Sequence, residues 1–573
     1  MKNIVSIIAC VIISIALLQY PAGYSDLKQG DPPLKVTFWD AFGYYAYLPA
    51  ILKYHDYKEL KWLTEIDKKY SVTGGDGWQA QKLDNGNYVF KYLGGVAIME
   101  IPFYFIGDFV AKQAGYPPDG FSAPYQYALG FGVIFYCILS IFLLRRVLLA
   151  YFSDTTTAIT LIMVCLSTNF IQYASIDNGQ SHGYLFPLYV AVLYATMQWH
   201  KRPSAIWAIV MGYLIGLAMI TRPTEAIIVL IPILWNTQNK ISAKEKWAQV
   251  RQHKNHIILA GLFGLTGILP QLIYWKLATG SFVYDVGSKW EFLNPHFRVL
   301  FGWEKGWFIY TPVTVLFIVG MFYIKGFPFR KSVLWFCLLN IYIIIAWHDW
   351  RYGGSYSTRA LVQSYPVFAL PFAAFTEYAI SKKWRIFFYL VCAYLLAVNV
   401  VQIYQYNRTI LLYDGMNRAY YGRIYLNPRP TPLDMSLLDN DEVLNNETDF
   451  HKTILTNTTT TTALTIAAGA QGVLCIDSMN GDNSKWIKIE SNIKAPGHLW
   501  QSFLNADLTR GDSVKHARVR LYSPISTDDK TNDYVFYMSV PPYFAQSTLT
   551  VYISSAFDFK GDVAHTTVTG LDK

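Results

Sequence analysis

Hydrophobic positions in the first two thirds of this chain come in long blocks. Apolar runs lie at residues 3–20, 125–144, 156–173, 184–199, 205–220, 226–235, 257–274, 307–323, 333–347, 361–380 and 386–404. Most are long enough to cross a hydrocarbon layer as helices, and the pattern predicts about eleven spans. The 226–235 run is short, so its boundary is the weakest feature of this threading. A further apolar stretch, 94–111, is interrupted by Glu100, Pro102 and Asp108. It reads as a re-entrant or surface-lying helix, with a true span as the alternative.

Beyond about residue 407 the blocks stop and Asn, Thr, Asp and Ser rise, with a Thr-rich patch at 456–462. After 472, short alternating runs appear at 486–490, 517–522, 534–538 and 549–553, separated by turn-forming residues. Period-two alternation at this spacing predicts an antiparallel β-sandwich outside the membrane. The expected organisation is a membrane domain at 1–405, containing a first external segment at 21–124, then a linker at 406–471 and a sandwich at 472–573. Structural support and glycan binding are both open roles for the sandwich, and support is preferred.

Composition agrees: 53% of residues are hydrophobic, 17% aromatic and only 15% charged. A soluble enzyme of this length would carry more charge. The net charge of +9 does not call for nucleic acid as a partner, because basic residues cluster at span ends. The segments read as internal hold about sixteen Lys and Arg against about two acids, as the positive-inside bias requires. That puts the amino terminus inside and the tail outside. The first run mimics a signal peptide near Pro21, but the topology uses it as an uncleaved span. Five of the six cysteines lie in apolar runs and Cys475 stands alone in the tail, with no CxxC or Cys/His metal spacing.

Four segments on the predicted outer face carry polar groups that a connector does not need. The stretch 37–52 holds a single carboxylate, Asp40, among aromatic residues. The 175–183 loop holds Asp177 and His182, the 221–225 turn holds Arg222 and Glu225, and the 348–359 loop holds Arg351, Gly353, Gly354 and Arg359. Each has a plainer use. Asp40 could cap an interfacial helix, Asp177 could make an Asx turn, and His182 could be a polar helix cap. Arg222 could snorkel and Arg359 could anchor a span. Pooled on one face they suggest more. Arginine forks suit phosphate, aromatic rings suit sugars or an isoprenoid tail, and an isolated carboxylate suits deprotonation of a hydroxyl. The implied reaction moves a group from a phosphate to an alcohol. No nucleotide-binding loop is visible, which disfavours a nucleotide donor.

These residues resemble the polyprenyl-phosphate-dependent, multi-spanning glycosyltransferases of the GT-C fold, which include protein mannosyltransferases and aminoarabinose transferases. The likeness covers about residues 1–405 and is clearest at 37–52, 92–103, 118–125, 180–183, 221–223, 302–312 and 353–359. It looks most like uncharacterised bacterial members, and the tail more weakly resembles jelly-roll modules appended to such enzymes. The resemblance implies a GT-C-like helical membrane domain in a bacterial inner membrane, with a periplasmic tail. It implies an inverting transfer of a hexosyl or pentosyl group from a polyprenyl-phosphate sugar to a hydroxyl of a glycan, lipid A or protein. Asp40 matches the acidic residue that serves as base or supports a metal, Asp177 matches a second acidic place, and Arg222 matches a residue facing lipid phosphate. His182, Glu225, Arg351 and Arg359 complete the expected binding set. No cofactor is required with certainty; a divalent cation, if used, would sit at Asp40 and Asp177. Asp40 is followed by Ala41 rather than by a second acid, and no Trp-rich acceptor motif is present. Protein-acceptor and oligosaccharide-donor readings are therefore weaker. Competing classes are a lipid-linked glycan transporter or flippase, and a non-catalytic scaffold.

Overall fold

The computed structural model describes residues 3–25, 36–75, 77–444, 446–479, 483–495, 500–522 and 532–572. The chain forms two compact units, Met1–Ile403 and Tyr404–Lys573. The first is helical and the second is built mainly of strands.

Among the described residues, three helices are long and apolar enough to cross a membrane: Ala123–Leu149, Lys254–Thr279 and Arg385–Asn407. Shorter apolar helices include Asp154–Leu166 and Ala205–Met219. Several expected spans are broken for local reasons. The 156–173 run ends its helix at Leu166 and continues as a π-turn, Gln172–Ile176. The 307–323 run divides into Trp307–Tyr310, Thr314–Gly320 and a 3₁₀ turn, with Pro312 between the first two. Proline there removes a helical donor and restricts the residue before it. The stretch expected to be re-entrant is one unbroken helix, Gly95–Gln113, despite Pro102. It packs closely on Ala123–Leu149 because glycines face large groups. A Cβ on Gly107 would lie 2.8 Å from the Tyr125 backbone, and one on Gly132 would lie 2.5 Å from the Phe103 ring.

From residue 36 on, the stretch expected to be the first external segment forms a small folded layer. Asp40–Tyr45 and Tyr47–Leu52 are short helices, and Ala80–Lys82 pairs with Tyr88–Phe90 around a turn at 83–87. Phe42, Tyr45, Tyr47, Trp62, Phe90 and Phe121 are buried together. The aromatic residues around Asp40 are thus mostly core, and Trp39 is the exposed exception. Burial of several large rings stabilises so short a layer because each removes much apolar surface from water. Asp119 pins it further. Its carboxylate accepts from Tyr70 (2.6 Å), Lys69 (3.0 Å) and the backbone N–H groups of Phe121 and Ser122. Burial alone would raise its pKa, but these donors hold it below the ordinary value.

The second unit contains two antiparallel sheets. One orders Gln471–Ser478, Thr548–Ser555, Ser502–Arg510 and Ser513–Arg520. The other orders His451–Thr458, Phe559–Asp572, Trp486–Lys494 and Asn532–Ser539, with Thr462–Ile466 also on Phe559–Asp572. Alternation along Trp486–Lys494 sends Ile487, Ile489 and Ile493 into the core. The stretch 406–471, expected as a linker, instead holds two short helices and the strands His451–Thr458 and Thr462–Ile466. Those two strands are mostly exposed, so they lack the apolar alternation that marks a half-buried strand.

Candidate functional site

A cavity of about 360 Å³ opens in the helical unit, and five of the seven sequence-predicted residues line it: Asp40, His182, Arg222, Glu225 and Arg359. Asp177 and Arg351 lie outside its lining. Asp177 follows the π-turn and accepts from Gln172 Nε2 at 2.9 Å. Arg351 pairs with Glu304 at 2.8 Å and stacks on Trp350.

Asp40 begins the Asp40–Tyr45 helix, in its first turn and not at the cap. The preceding Trp39 takes the left-handed conformation, φ 53°, which costs free energy for a bulky residue. Two contacts hold it there. Its N–H donates to Val72 O at 3.1 Å, and its ring covers Gly74, where a Cβ would lie 2.7 Å away. Backbone strain held by surrounding structure is common where a side chain must be aimed. Gly43, one turn on, leaves room for the Tyr92 ring; a Cβ there would be 2.1 Å from it. Tyr92 therefore reaches across and donates its hydroxyl to Asp40 Oδ1 at 2.8 Å. Burial, and then the Asp40 charge, raise the Tyr92 pKa, so it stays a donor.

The other oxygen of Asp40 accepts from Arg359 Nη2 at 2.7 Å, with side-chain exposures of 12% for Arg359 and 18% for Asp40. Arg359 Nη1 also reaches Gln180 Oε1 at 3.3 Å. The loop that delivers Arg359 is tightly determined. Tyr352, Gly353 and Ser357 have φ of 56°, 62° and 53°. A Cβ on Gly353 would stand 3.3 Å from Arg359 Nη2, so this glycine serves both a positive φ and a close approach. Buried Lys305 donates to the carbonyls of Arg351 (2.8 Å) and Gly353 and reaches Ser355 Oγ at 3.4 Å. Thr358 Oγ1 donates to Val299 O at 2.9 Å.

Arg222 lies beyond the Ala205–Met219 helix and is the N-cap residue of the Pro223–Val229 turn. It precedes Pro223, which forces extended backbone, φ −151° and ψ 126°. Among the described residues its guanidinium has one polar side-chain partner, His182 Nδ1 at 3.4 Å, and no carboxylate within ion-pair distance. Among the described residues the Lys91 ammonium, on the same cavity, has the Trp78 ring as its contact, 5.7 Å away. Trp275, Trp347 and Asn340 also line the cavity, and each has a buried N–H group with no partner among the described residues. The wall balances Lys91, Arg222 and Arg359 against the carboxylates Asp40, Glu225 and Asp285, but Arg222 and Lys91 make no ion pair among the described residues, which leaves them available to an anion.

Pro223–Val229 coils back as a 3₁₀ turn and buries Glu225. Tyr189 donates to Glu225 Oε2, Gln363 Nε2 to Oε1 at 3.0 Å, and Thr224 to Oε1 at 3.4 Å. Gln363 Oε1 in turn faces His182 Nδ1 at 2.9 Å. His182 opens the Ser181–Lys201 helix, edge-on to Tyr173. Sequence reasoning did not select Lys91, Tyr92, Gln180 or Gln363. The first three sit in or beside stretches already singled out, whereas Gln363 lay inside a run read as a span.

A second space, about 220 Å³, is lined almost wholly by apolar side chains, among them Leu48, Ile51, Ile98, Ile101 and Phe105. Leu93 lines the polar cavity and Gly94 the groove; Thr221 and Ile220 divide likewise, as do Trp275 and Tyr274. The two spaces therefore meet along one seam of consecutive residues.

The donor set does not fit a divalent cation at Asp40 and Asp177. Both Asp40 oxygens are engaged by Tyr92 and Arg359, and Asp177 is not on the cavity wall. Among the described residues no group of three or more His, Cys, Asp or Glu side chains is arranged to hold a metal.

No protein-family profile matches the chain, and no curated protein matches it. Two solved structures are similar to it. One is the apo oligosaccharyltransferase of Archaeoglobus fulgidus, at 11% identity and TM-score 0.40. The other is the archaeal oligosaccharyltransferase AglB from Archaeoglobus fulgidus in complex with an inhibitory peptide and a dolichol-phosphate, at 12% identity and TM-score 0.36. Each alignment covers 77% of this chain and 61% of the other, so the chain spans about three fifths of those proteins' length.

Proposed function

We propose that the protein is an inverting glycosyltransferase that takes one sugar from a polyprenyl-phosphate donor and passes it to a hydroxyl acceptor at the outer face of a bacterial inner membrane. The observation that carries this is the Arg222 guanidinium, without a carboxylate partner, on a donor-rich cavity that adjoins an apolar groove. A lipid-linked phosphate needs both features at once: a cation for the head and an oily surface for the tail. Arg222, with Lys91 beside the same cavity, would hold the phosphate and stabilise the charge that grows on it as the sugar leaves. Phosphate leaves without protonation, so the protein has only to orient the acceptor and take its proton. Asp40 serves this machinery either as that proton acceptor or as the group that sets Arg359 against the donor. The acceptor, whether glycan, lipid A or protein, would approach from the polar side of the cavity.

The test is transfer of radiolabelled sugar from undecaprenyl-phosphate hexoses and pentoses by purified protein in detergent, where no gradient exists. Arg222→Gln should weaken donor binding by roughly ten- to a hundred-fold, the scale of one charge-assisted hydrogen bond. Movement of the lipid-linked sugar across liposome membranes without any transfer product would favour the transporter instead.

A further inference from the structure

An acceptor hydroxyl needs a base, and Asp40, His182, Glu225 and Asp285 line the cavity. Glu225 is taken up by three donors and Asp285 accepts from the Gly287 N–H, so the comparison is between Asp40 and His182. Asp40 has one oxygen on Arg359 and the other on Tyr92. Both oxygens of that carboxylate are thus already occupied by donors, and an incoming hydroxyl would have to share one of them. His182 is held differently. Three donors converge on Glu225, from Tyr189, Gln363 and Thr224, so that carboxylate acts purely as an acceptor. Glu225 thereby fixes the Gln363 amide with its Nε2 toward the carboxylate and its Oε1 toward His182 Nδ1, 2.9 Å away. A carbonyl oxygen can only accept, so Nδ1 carries the ring proton and the lone pair sits on Nε2. Arg222 Nη1 also lies 3.4 Å from Nδ1, a longer contact than that to Gln363, and with the proton on Nδ1 these two groups face each other as donors. The ring lines the cavity, and no group among the described residues bonds Nε2.

We propose that His182 Nε2 takes the proton of the acceptor hydroxyl, that Glu225 and Gln363 lock the ring in the tautomer this requires, and that Asp40 is a positioning residue for Arg359. This rests on the glycosyl-transfer reading above. The step balances. The acceptor O–H bond breaks as its proton moves to Nε2, and the oxygen forms the new bond to the anomeric carbon. The bond from that carbon to the phosphate oxygen breaks, and its electron pair leaves on the lipid phosphate. The groups facing the ring are Arg222, Arg359, Gln363 and Tyr173. Before the donor binds, burial first and then the Arg222 and Arg359 guanidinium groups oppose an imidazolium, and it is the guanidinium share that a phosphate can offset. When the leaving phosphate gains its second charge beside them, that share is cancelled. Proton transfer is thus coupled to departure of the leaving group, which protects the donor from deprotonated water in the meantime.

Azide tests this directly, because it is a nucleophile with no proton to lose. His182→Ala should lower transfer to octyl glucoside, lipid A and water by roughly 10²- to 10⁴-fold. It should spare glycosyl azide formation far more than transfer to hydroxyls, each measured against the unsubstituted protein. Asp40→Asn should lose transfer to hydroxyls and to azide alike. Azide rescue of Asp40→Asn but not of His182→Ala, or rescue of neither, overturns the assignment, as does full hydroxyl transfer by His182→Ala. If His182→Ala does not fold, Gln363→Met carries the test. It should slow hydroxyl transfer and spare azide transfer, and an equal fall in both overturns the proposal. No transfer by the unsubstituted protein to any of these acceptors overturns the glycosyl-transfer reading and the proposal with it; an active protein with an unrescued His182→Ala overturns the proposal alone.

Discussion

Asp40 gains its meaning from two residues far away in sequence, Tyr92 and Arg359, and from a glycine next to it. Tyr92 can lie against the Asp40–Tyr45 helix only because Gly43 has no side chain. In Gly43→Ala the new methyl would sit 2.1 Å from the Tyr92 ring, so the ring must move. Overpacking of this kind costs about 1–3 kcal/mol. The ring's shift would also take the phenol away from Asp40 Oδ1. The expected outcome is a lower melting temperature together with a fall in turnover, measured by thermal unfolding and sugar transfer on the same preparation. A variant that unfolds earlier but turns over normally would show that the Tyr92 bond is not needed. Asp40 and Gly353 were legible in the sequence as an isolated carboxylate and a glycine with a special backbone. Gln363 was not, because an amide inside an apolar run gives no sign of which groups it will bridge.

At the scale of elements, the 348–359 loop shows how a connector becomes a rigid arm. Three residues with positive φ would not hold a flexible loop in one shape on their own. Lys305 does much of that, spending a buried ammonium on the carbonyls of Arg351 and Gly353. Lys305→Met should leave those carbonyls without their donor, at about 1–3 kcal/mol each. The loop would relax and Arg359 would lose its register against Asp40. The expected result is a large fall in turnover with donor affinity nearly kept, since Arg222 is on another element; unchanged turnover would mean that the loop is held without it. The Thr-Arg-Pro turn behaves in the opposite way: Pro223 alone sets Arg222 in extended backbone, so that part of the site could be read locally.

For the whole molecule, charge bias along the chain predicts which face each loop occupies, and a labelling experiment decides it. In a Cys475→Ser background, a cysteine placed at Ser288 should react with an impermeant maleimide on intact spheroplasts. One placed at Lys244, in the basic Lys240–Gln252 helix, should react only after lysis. The reverse pattern would put the cavity on the inside and remove the case for a lipid donor presented at the outer face. The same scale marks the limit of span counting. Among the described residues three helices meet length and composition together, while several other runs are broken by turns that hydropathy averages over.

The sequence by itself determined that the front of the chain is helical and apolar, that the tail is built of strands, and which loops carry ionisable groups. Those follow from periodicity and from the cost of placing charge in an apolar run, both of which are local. Tertiary structure alone decided that Asp40 is paired with Arg359, that Arg222 has no carboxylate within ion-pair distance among the described residues, and that Gln363 bridges Glu225 and His182. It also separated Asp177 and Arg351 from the cavity. The reason is physical: hydrogen-bond partnership depends on distances of about 3 Å between residues hundreds of positions apart, and no pattern along the chain encodes which of several charged loops will meet.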